Sequence, residues 1–306
     1  MSVYRFMIAI ALAVLISGFS CSPPQTRSAL PSPTDSSLPV VNVPRKKIAV
    51  TRFNMANRFG ERRLGENATA ILITALNQTG RFILLERERV AEILEQVALA
   101  QSGITQGTLQ QLQLLDADYI VTGAITHYSV TIRGSSGLFT KRKIQQARAI
   151  VDVRIVDVRS GEIIFSETGT GTAQQEYTKV LGIGTEGGYD EALEMDALRS
   201  AIYQLVNKIV TTLTQRPFVC DVIKIQGNRL YIDAGKLSHI PLGQTIVFYH
   251  KGEPIVAADG RLLGYEETRV ATGKVVQYIG EDAAVVVVNS SSPLPQPLIG
   301  KIEPGE

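Results

Sequence analysis

Apolar residues fall along this chain in three textures, and each predicts a different kind of structure. The first is an unbroken run, "FMIAIALAVLISGF" over residues 6–19, with Arg5 before it and Cys21 just after. As a helix it would reach about 21 Å against a hydrocarbon core of about 30 Å, so it reads as a signal peptide and not as a spanning segment. The second texture, from Lys46 to Arg216, switches between a period of two and a period of 3.6. "KKIAVTRF" predicts a strand, "LGENATAILITALNQTG" a helix stopped by Gly80, "RFILL" a strand, and the residues from about Arg87 another helix. A short helix near Leu109–Leu115 leads to the strand "ADYIVTGAITHYSVTI", followed by two strands joined at "RSGE". "DEALEMDALRSAIYQLVNKIVTTL" predicts a long helix with acidic first turns, as the macrodipole favours, ended by Pro217. The third texture begins at Phe218. Short β runs are punctuated there by Gly227–Asn228, Asp259–Gly260 and Gly280, and no helical stretch interrupts them.

The expected fold class is therefore an α/β domain, a mixed sheet with helices, followed by a small all-β antiparallel barrel or sandwich. Residues 1–20 read as signal peptide, 21–45 as a lipidated cysteine and disordered tether, 46–216 as the α/β domain and 217–306 as the β domain. The tether has no period of either kind and is rich in Pro, Ser and Thr. Gly18 and Ser20 are small enough to suit cleavage just before Cys21, an arrangement similar to the lipobox of bacterial lipoproteins. Lipidation of Cys21 is the expectation, with plain secretion and an uncleaved anchor as its alternatives. More than one acyl chain is needed for stable anchoring, since each buried methylene contributes only about 0.8 kcal/mol.

Composition narrows the chemistry. The 306 residues are 44% hydrophobic and 20% charged, with a net charge of +2, so no global field argues for nucleic acid. Two cysteines, Cys21 and Cys220, make no disulfide framework. Three scattered histidines, His127, His239 and His250, lack ligand spacing, so neither a metal nor a cofactor is expected. "GIGTEG" at residues 182–187 fits a dinucleotide fingerprint by letter, but no parallel strand follows its helix, and it reads as a hairpin tip. "GSSG" at Gly134 lacks the spacing of a nucleophile elbow. Glu86 to Glu92 read as a solvated helix start. Asp190, Glu191, Glu194 and Asp196 read as helix-end charges. Lys141, Arg142, Lys143 and Arg148 form the densest basic patch, near a hairpin tip. Cys220 reads as a small buried apolar side chain.

Several phrases carry a resemblance. "IAVTRF", "LGENATAILITALNQTGRFILLERERVAEIL", "ADYIVTGAIT", "VDVRIVDVRSGEIIFSETGTG" and "GGYDEALEMDALRSAIYQLV" together resemble the curli production assembly/transport component (CsgG) family over roughly residues 46–214. "GEPIVAADGRLLG" and "TGKVVQYIGEDAAVV" look like the C-terminal domain of flagellar assembly protein T. The family resemblance implies an outer-membrane lipoprotein whose periplasmic α/β domain assembles into rings, without a cofactor. Its secretion members build a β-barrel pore from two hairpins per subunit and pass unfolded amyloid subunits. Here those hairpins should fall near His127–Ile150 and Thr170–Tyr189. The family's constriction loop has Asn57 and Phe59 as its nearest equivalents.

Three function classes follow. A ring-forming transport or assembly component on the periplasmic face of the outer membrane is the first, with protein clients and a homo-oligomer as partners. A non-pore accessory lipoprotein docking on another envelope machine is the second. An enzyme is the third, and it would need a convergent set of titratable groups that the sequence does not display.

Overall fold

The computed structural model describes residues 43–55, 61–85, 116–136, 140–180, 183–184, 191–258, 262–289 and 293–303. The elements expected near Arg87 and Leu109–Leu115 lie outside the described residues. In the first unit, β1 (Lys46–Val50), β2 (Asn54–Met55), α1 (Glu61–Gln78) and β3 (Phe82–Leu84) precede a long meander. It comprises β4 (Tyr119–Ser136), β5 (Thr140–Asp157) and β6 (Ile163–Val180), each of 18 residues, then β7 (Ile183–Gly184) and α2 (Glu191–Thr214). The sheet runs β3-β1-β4-β5-β6-β7, with β1 parallel to β3 and β4 and the meander antiparallel. This is the mixed sheet with helices that the periodicity predicts. The helix α1 starts at Glu61, three residues before the periodic stretch that begins at Leu64.

Strict alternation sets which face of the meander is buried. On β5, Ala147, Ala149, Val151, Val153 and Ile155 are fully buried, while Arg148 and Arg154 between them are exposed. The register shift between Ile125 and His127 lets β4 keep Tyr128 and Val130 on the side of Val121 and Ile125. Onto that face packs α2, through Leu198, Ile202, Leu205, Ile209 and Leu213. Each such side chain contributes about 1.5–3 kcal/mol relative to exposure.

The closeness of that contact depends on two glycines. A Cβ on Gly169 would sit 2.4 Å from the Ala201 carbonyl oxygen, and one on Gly171 would sit 2.0 Å from that of Ala197. Both obstacles are helix backbone, which no rotamer change relieves. Gly123 plays a similar part for Phe53, whose ring occupies the space a Cβ would need.

The second unit is a closed barrel in the order β10-β11-β12-β9-β8-β13, built from β8 (Phe218–Gln226), β9 (Arg229–Ile232), β10 (Thr245–Val256), β11 (Leu262–Ile279), β12 (Ala283–Val288) and β13 (Leu298–Ile302). Of the two architectures left open by the sequence, the barrel is the one formed. Phe218, Leu230, Ile246, Phe248, Val275, Val286 and Ile302 fill it. Gly227 and Gly280 take positive φ at the turns their sequence signals mark. Cys220 lies buried in this core, and burial pushes its thiol up, which makes it chemically quiet. Among the described residues no helix is long and apolar enough to cross a membrane, which leaves strands untouched.

Replacing Gly171 with Ala should lower stability by about 2 kcal/mol or more, because helix and strand must separate. Gly134→Ala, whose Cβ would meet nothing nearer than 3.8 Å, is the control and should change it little. Urea unfolding of the two variants measures both.

Candidate functional site: an ionic cleft and a projecting ribbon

The two units meet through charge. Lys47, on β1, reaches across to the barrel, with its Nζ 3.4 Å from the Asp233 carbonyl oxygen and 3.7 Å from Asp282 Oδ2. Its own unit supplies Asp116 at 3.1 Å. Arg159, in the turn between β5 and β6, sits 3.1 Å from Asp221 on β8 and 4.0 Å from Asp118. Asp118 Oδ2 accepts the Lys47 backbone N–H at 2.8 Å, and Asp233 Oδ1 accepts that of Asp221 at 2.7 Å. A cleft of about 150 Å³ opens between these groups, with Lys251 of β10 on its wall. Asp282 fixes the barrel side by accepting N–H bonds from Gly235 and Ser238 and the Ser238 hydroxyl, each at 2.9 Å.

Electrostatics in the cleft follow from burial and crowding. Burial pushes the Asp118 carboxyl up to about 6, against the opposing pull of the Lys47 N–H and Arg159. Asp233 is raised for the same reason, helped by the neighbouring Asp221 carboxylate. Burial opposes the charge on Lys47, yet Asp116, Asp233 and Asp282 together raise its amine. On Lys251 burial prevails and the amine is lowered. Its Nζ stands 3.7 Å from the centre of the Tyr265 ring.

Beside the cleft, Lys46 is 3% exposed, and its amine donates to the carbonyls of Leu213 and, at 2.6 Å, Arg216. A cation therefore caps the C-terminal end of α2, where the last carbonyls lack helical partners. Burial lowers this amine to about 8.

The second candidate is the ribbon where β4, β5 and β6 run past the helices. Tyr128, Ala149 and Gly171 form one cross-strand row on the core side, Val130, Ala147 and Ala173 the next, and Ile132, Gln145 and Gln175 the third. The opposite side carries Ser129, Arg148 and Thr172, then Thr131, Gln146 and Gln174, then Arg133, Ile144 and Glu176. Arg142 pairs with Glu176 at 2.6 Å, so part of the basic patch is already neutralised. At the base of the ribbon, Arg63 of α1 bridges Glu191 at 3.1 Å and Glu194 at 3.4 Å. Glu194 is 5% exposed, a structural tie between two helices where the sequence suggests an end charge. Burial and the Glu194 carboxylate both push the nearby Tyr128 hydroxyl up.

Cys21, Asn57 and Phe59 lie outside the described residues, as do Glu86 to Glu92 and Asp190. Of "GIGTEG", Ile183 and Gly184 pair antiparallel with Val180 and Lys179, the geometry of a hairpin return. Among the described residues no group of three or more His, Cys, Asp or Glu side chains could hold a metal ion. His127 contacts Ser129 at 3.2 Å and His250 the Pro297 carbonyl at 3.2 Å. The cleft escaped sequence reading altogether, because Lys47, Asp118, Arg159, Asp221 and Asp282 share no local spacing.

The profile of the curli production assembly/transport component CsgG family matches residues 41–240, from the start of β1 through β9. The chain belongs to this family. A Neisseria meningitidis serogroup B protein, NMB1126/NMB1164, whose name describes a lipoprotein, is 35% identical over 176 residues, spanning 54% of this chain and 75% of that protein. The CsgG protein of Salmonella typhimurium is 27% identical over 217 residues, spanning 62% of this chain and 77% of its own length. Among solved structures, lipoprotein GNA1162 of Neisseria meningitidis overlaps 54% of this chain and 99% of its own. Its identity is 14% and its TM-score 0.30, too low to carry an inference. Within the cleft, Lys47, Asp118, Arg159, Asp221 and Asp233 fall inside the CsgG family match, and Lys251 falls beyond it, as does Asp282, the partner of Lys47.

Replacing Lys46 with Met should destabilise the chain by about 1–3 kcal/mol, because the buried Leu213 carbonyl and the partly buried Arg216 carbonyl just past the helix lose their donor. The pH dependence has a defined sign. A folded-state amine near 8 favours the folded protein above its unfolded value of 10.5, and that contribution is lost as pH falls through about 8. The margin of wild type over Lys46→Met should therefore widen between pH 8 and 10, read by denaturant unfolding.

Proposed function

We propose that this chain is an envelope lipoprotein, mature from Cys21 and anchored at the periplasmic face of the outer membrane. There it assembles head to tail into a ring that serves a protein export or assembly system. Members of its family are transport and assembly components, and a relative carries the name of a lipoprotein. The observation that carries the oligomer is the ribbon's two open edges. Beyond its pairing with β2 at Ala124 and Ile125, β4 has a strand on one side only from Thr126 to Ser136, among the described residues. On the far side of the ribbon, β6 pairs among the described residues with β7 only at Lys179 and Val180, so Ser166–Gln174 presents a long edge there as well. Unpaired edges of that length are templates for another chain. Two different edges on one ribbon make the contact heterologous, and a heterologous contact that closes gives a ring.

A second reading, a ring or adaptor that stays out of the hydrocarbon, is favoured by the composition of the ribbon's faces. The polar face bears Arg133, Arg142, Arg148 and Glu176, so any lipid contact would fall to the core-side face. That face turns polar at Gln145 and Gln175 and then reaches Lys143, and a lysine near a bilayer midplane costs about 2–4 kcal/mol. On this reading the ribbon is a docking platform for an envelope partner, and the protein performs no catalytic step.

Proline substitutions at Gln174 and Gln175 test the edge. Neighbouring N–H groups point to opposite sides of a strand, so one of the pair faces away from β5. That variant should keep its fold by circular dichroism yet lose oligomers in sedimentation velocity of detergent-extracted protein. Oligomers that survive both substitutions would remove the edge from the assembly. Conductance in planar bilayers separates the two readings: a pore conducts, and the adaptor does not.

A further inference from the structure

The barrel carries an apolar surface that its own core does not use. Leu237, Leu242, Val276 and Ile279 are each between 40% and 56% exposed. They come from one loop and one strand end, and hydrogen bonds hold the two together. The Leu237 N–H donates to the Glu281 carbonyl at 3.1 Å, that of Gly243 to Val275 at 2.7 Å and that of Val275 to Gln244 at 3.0 Å, while the Tyr278 hydroxyl donates to the Ile240 carbonyl at 2.7 Å. On β11 a register shift between Val275 and Gln277 leaves Val276 outside the ladder, and Tyr278 packs toward the barrel core while Ile279 stays exposed. The loop is itself braced. The His239 N–H bonds to the Lys236 carbonyl and the Gln244 N–H to that of Pro241, each at 3.1 Å, and Ile240 between them is buried in the core. Leu237 and Leu242 are thus held outward on either side of an anchored residue. Clustered exposed apolar side chains of this kind mark an interaction surface.

Two features of the same segment bear on what covers it. The first is charge. Across residues 236–244 and 274–281, Lys236 and Lys274 are exposed and Glu281 is the single carboxylate. Burial and then the nearby Arg45 cation lower the His239 imidazole, so a third positive charge stands beside the loop. The second is where the chain enters. The Arg45 N–H donates to the Ser238 carbonyl at 2.9 Å, in the middle of this loop, and only residues 22–42 separate Val43 from Cys21. Such a stretch spans at most about 75 Å, so this is the face of the barrel that an anchor at Cys21 brings to a bilayer first. We propose that the patch is a membrane-docking face: Leu237, Leu242, Val276 and Ile279 enter the interfacial layer of an anionic bilayer, and Lys236 and Lys274 meet its phosphates. The proposal rests on the lipoprotein reading above for its membrane. Apolar burial and headgroup attraction add in such a contact, and tethering raises the effective concentration so that a weak contact suffices. A braced loop also loses little conformational freedom when it docks.

Sedimentation of sucrose-loaded vesicles with the full mature chain, carrying Cys21→Ser so that no acyl chain contributes, tests this. The chain should bind vesicles of phosphatidylglycerol and phosphatidylethanolamine, and bind phosphatidylcholine vesicles about 25-fold more weakly. Leu242→Asp and Val276→Asp should each weaken binding at least about tenfold. Lys236→Gln combined with Lys274→Gln should remove the preference for anionic lipid. Ile223→Asp is the control: Ile223 is 66% exposed on β8, the strand across the barrel from β11, and its loss should leave binding unaltered. A chain that does not bind, or that loses binding equally with Ile223→Asp, overturns the docking face. So does sedimentation velocity without lipid in which Leu242→Asp dissolves an oligomer, because the patch then covers a second copy. The substitutions lie at exposed positions on two segments, so misfolding of one variant leaves the others to decide. Acylation of Cys21 is read separately, by incorporation of labelled palmitate in cells making the unsubstituted chain, so failure of the lipoprotein reading and failure of docking are distinct results.

Discussion

Everything in the α/β unit rests on the backbone-to-backbone approach of α2 and β6. Gly169 and Gly171 remove the two side chains that would hold the helix away, and Ala197 and Ala201 remove the two that would do so from the helix side. With the layers that close, Leu198, Leu205 and Ile209 reach past β6 to the alternating small and branched residues of β5. Dispersion between packed atoms falls steeply with separation, so the gain comes only at this distance. The glycines also set a cost. They give β6 no side chain on its buried face at those positions, and the strand depends on the helix for cover. A helix placed any farther out would leave Val151 and Val153 facing a void.

The same helix then fixes the junction. Its C-terminal carbonyls are held by Lys46 from β1, and the next residue along β1, Lys47, turns to the other side and crosses to the barrel. Alternation along one short strand thus assigns two adjacent lysines to two jobs, one inside a unit and one between units. Because the first is buried and the second shares several carboxylates, neither is a surface charge that salt would screen away. The barrel meets the α/β unit through ionic contacts at its base, whereas its interior is closed and apolar.

Much of this architecture was legible from residue order. The alternation of "ARAIVDVRI" identifies β5 and its buried face, the 3.6 period identifies α2, and Gly227–Asn228 and Gly280 mark barrel turns where positive φ is adopted. What could not be read is long-range. Lys46 looks like the polar start of a strand, because the carbonyls that bind it are more than 160 positions away. The cleft draws on β1, the turn after β5, β8 and the turn before β12, and its aspartates are locally indistinguishable from strand-end polar residues. Glu194 reads as a dipole partner, and only the arrival of Arg63 from α1 makes it a buried bridge. The start of α1 was missed because Glu61 to Arg63 are charged, and periodicity registers only apolar recurrence. The three residues singled out for function, Cys21, Asn57 and Phe59, lie outside the described residues.

On the proposed reading, one sheet serves a fold and an assembly together. Near α2 its core-side face is Ala, Gly and Val, and the helix demands it. Farther along, the same face meets Gln145, which is fully buried, and Gln175, amides that would be penalised in hydrocarbon unless hydrogen-bonded. The change occurs within one cross-strand row. An edge rich in Thr, Gly and Gln, such as Ser166–Gln174, has few of the charges or prolines that block strand addition. A protein that left such an edge without a partner would be prone to aggregate, so the edge itself argues for a specific neighbour of matching geometry. Among the described residues, the β4 edge from Thr126 to Ser136 of the same ribbon is of comparable length. That requirement comes from the backbone and is indifferent to whether the completed ring ever meets lipid.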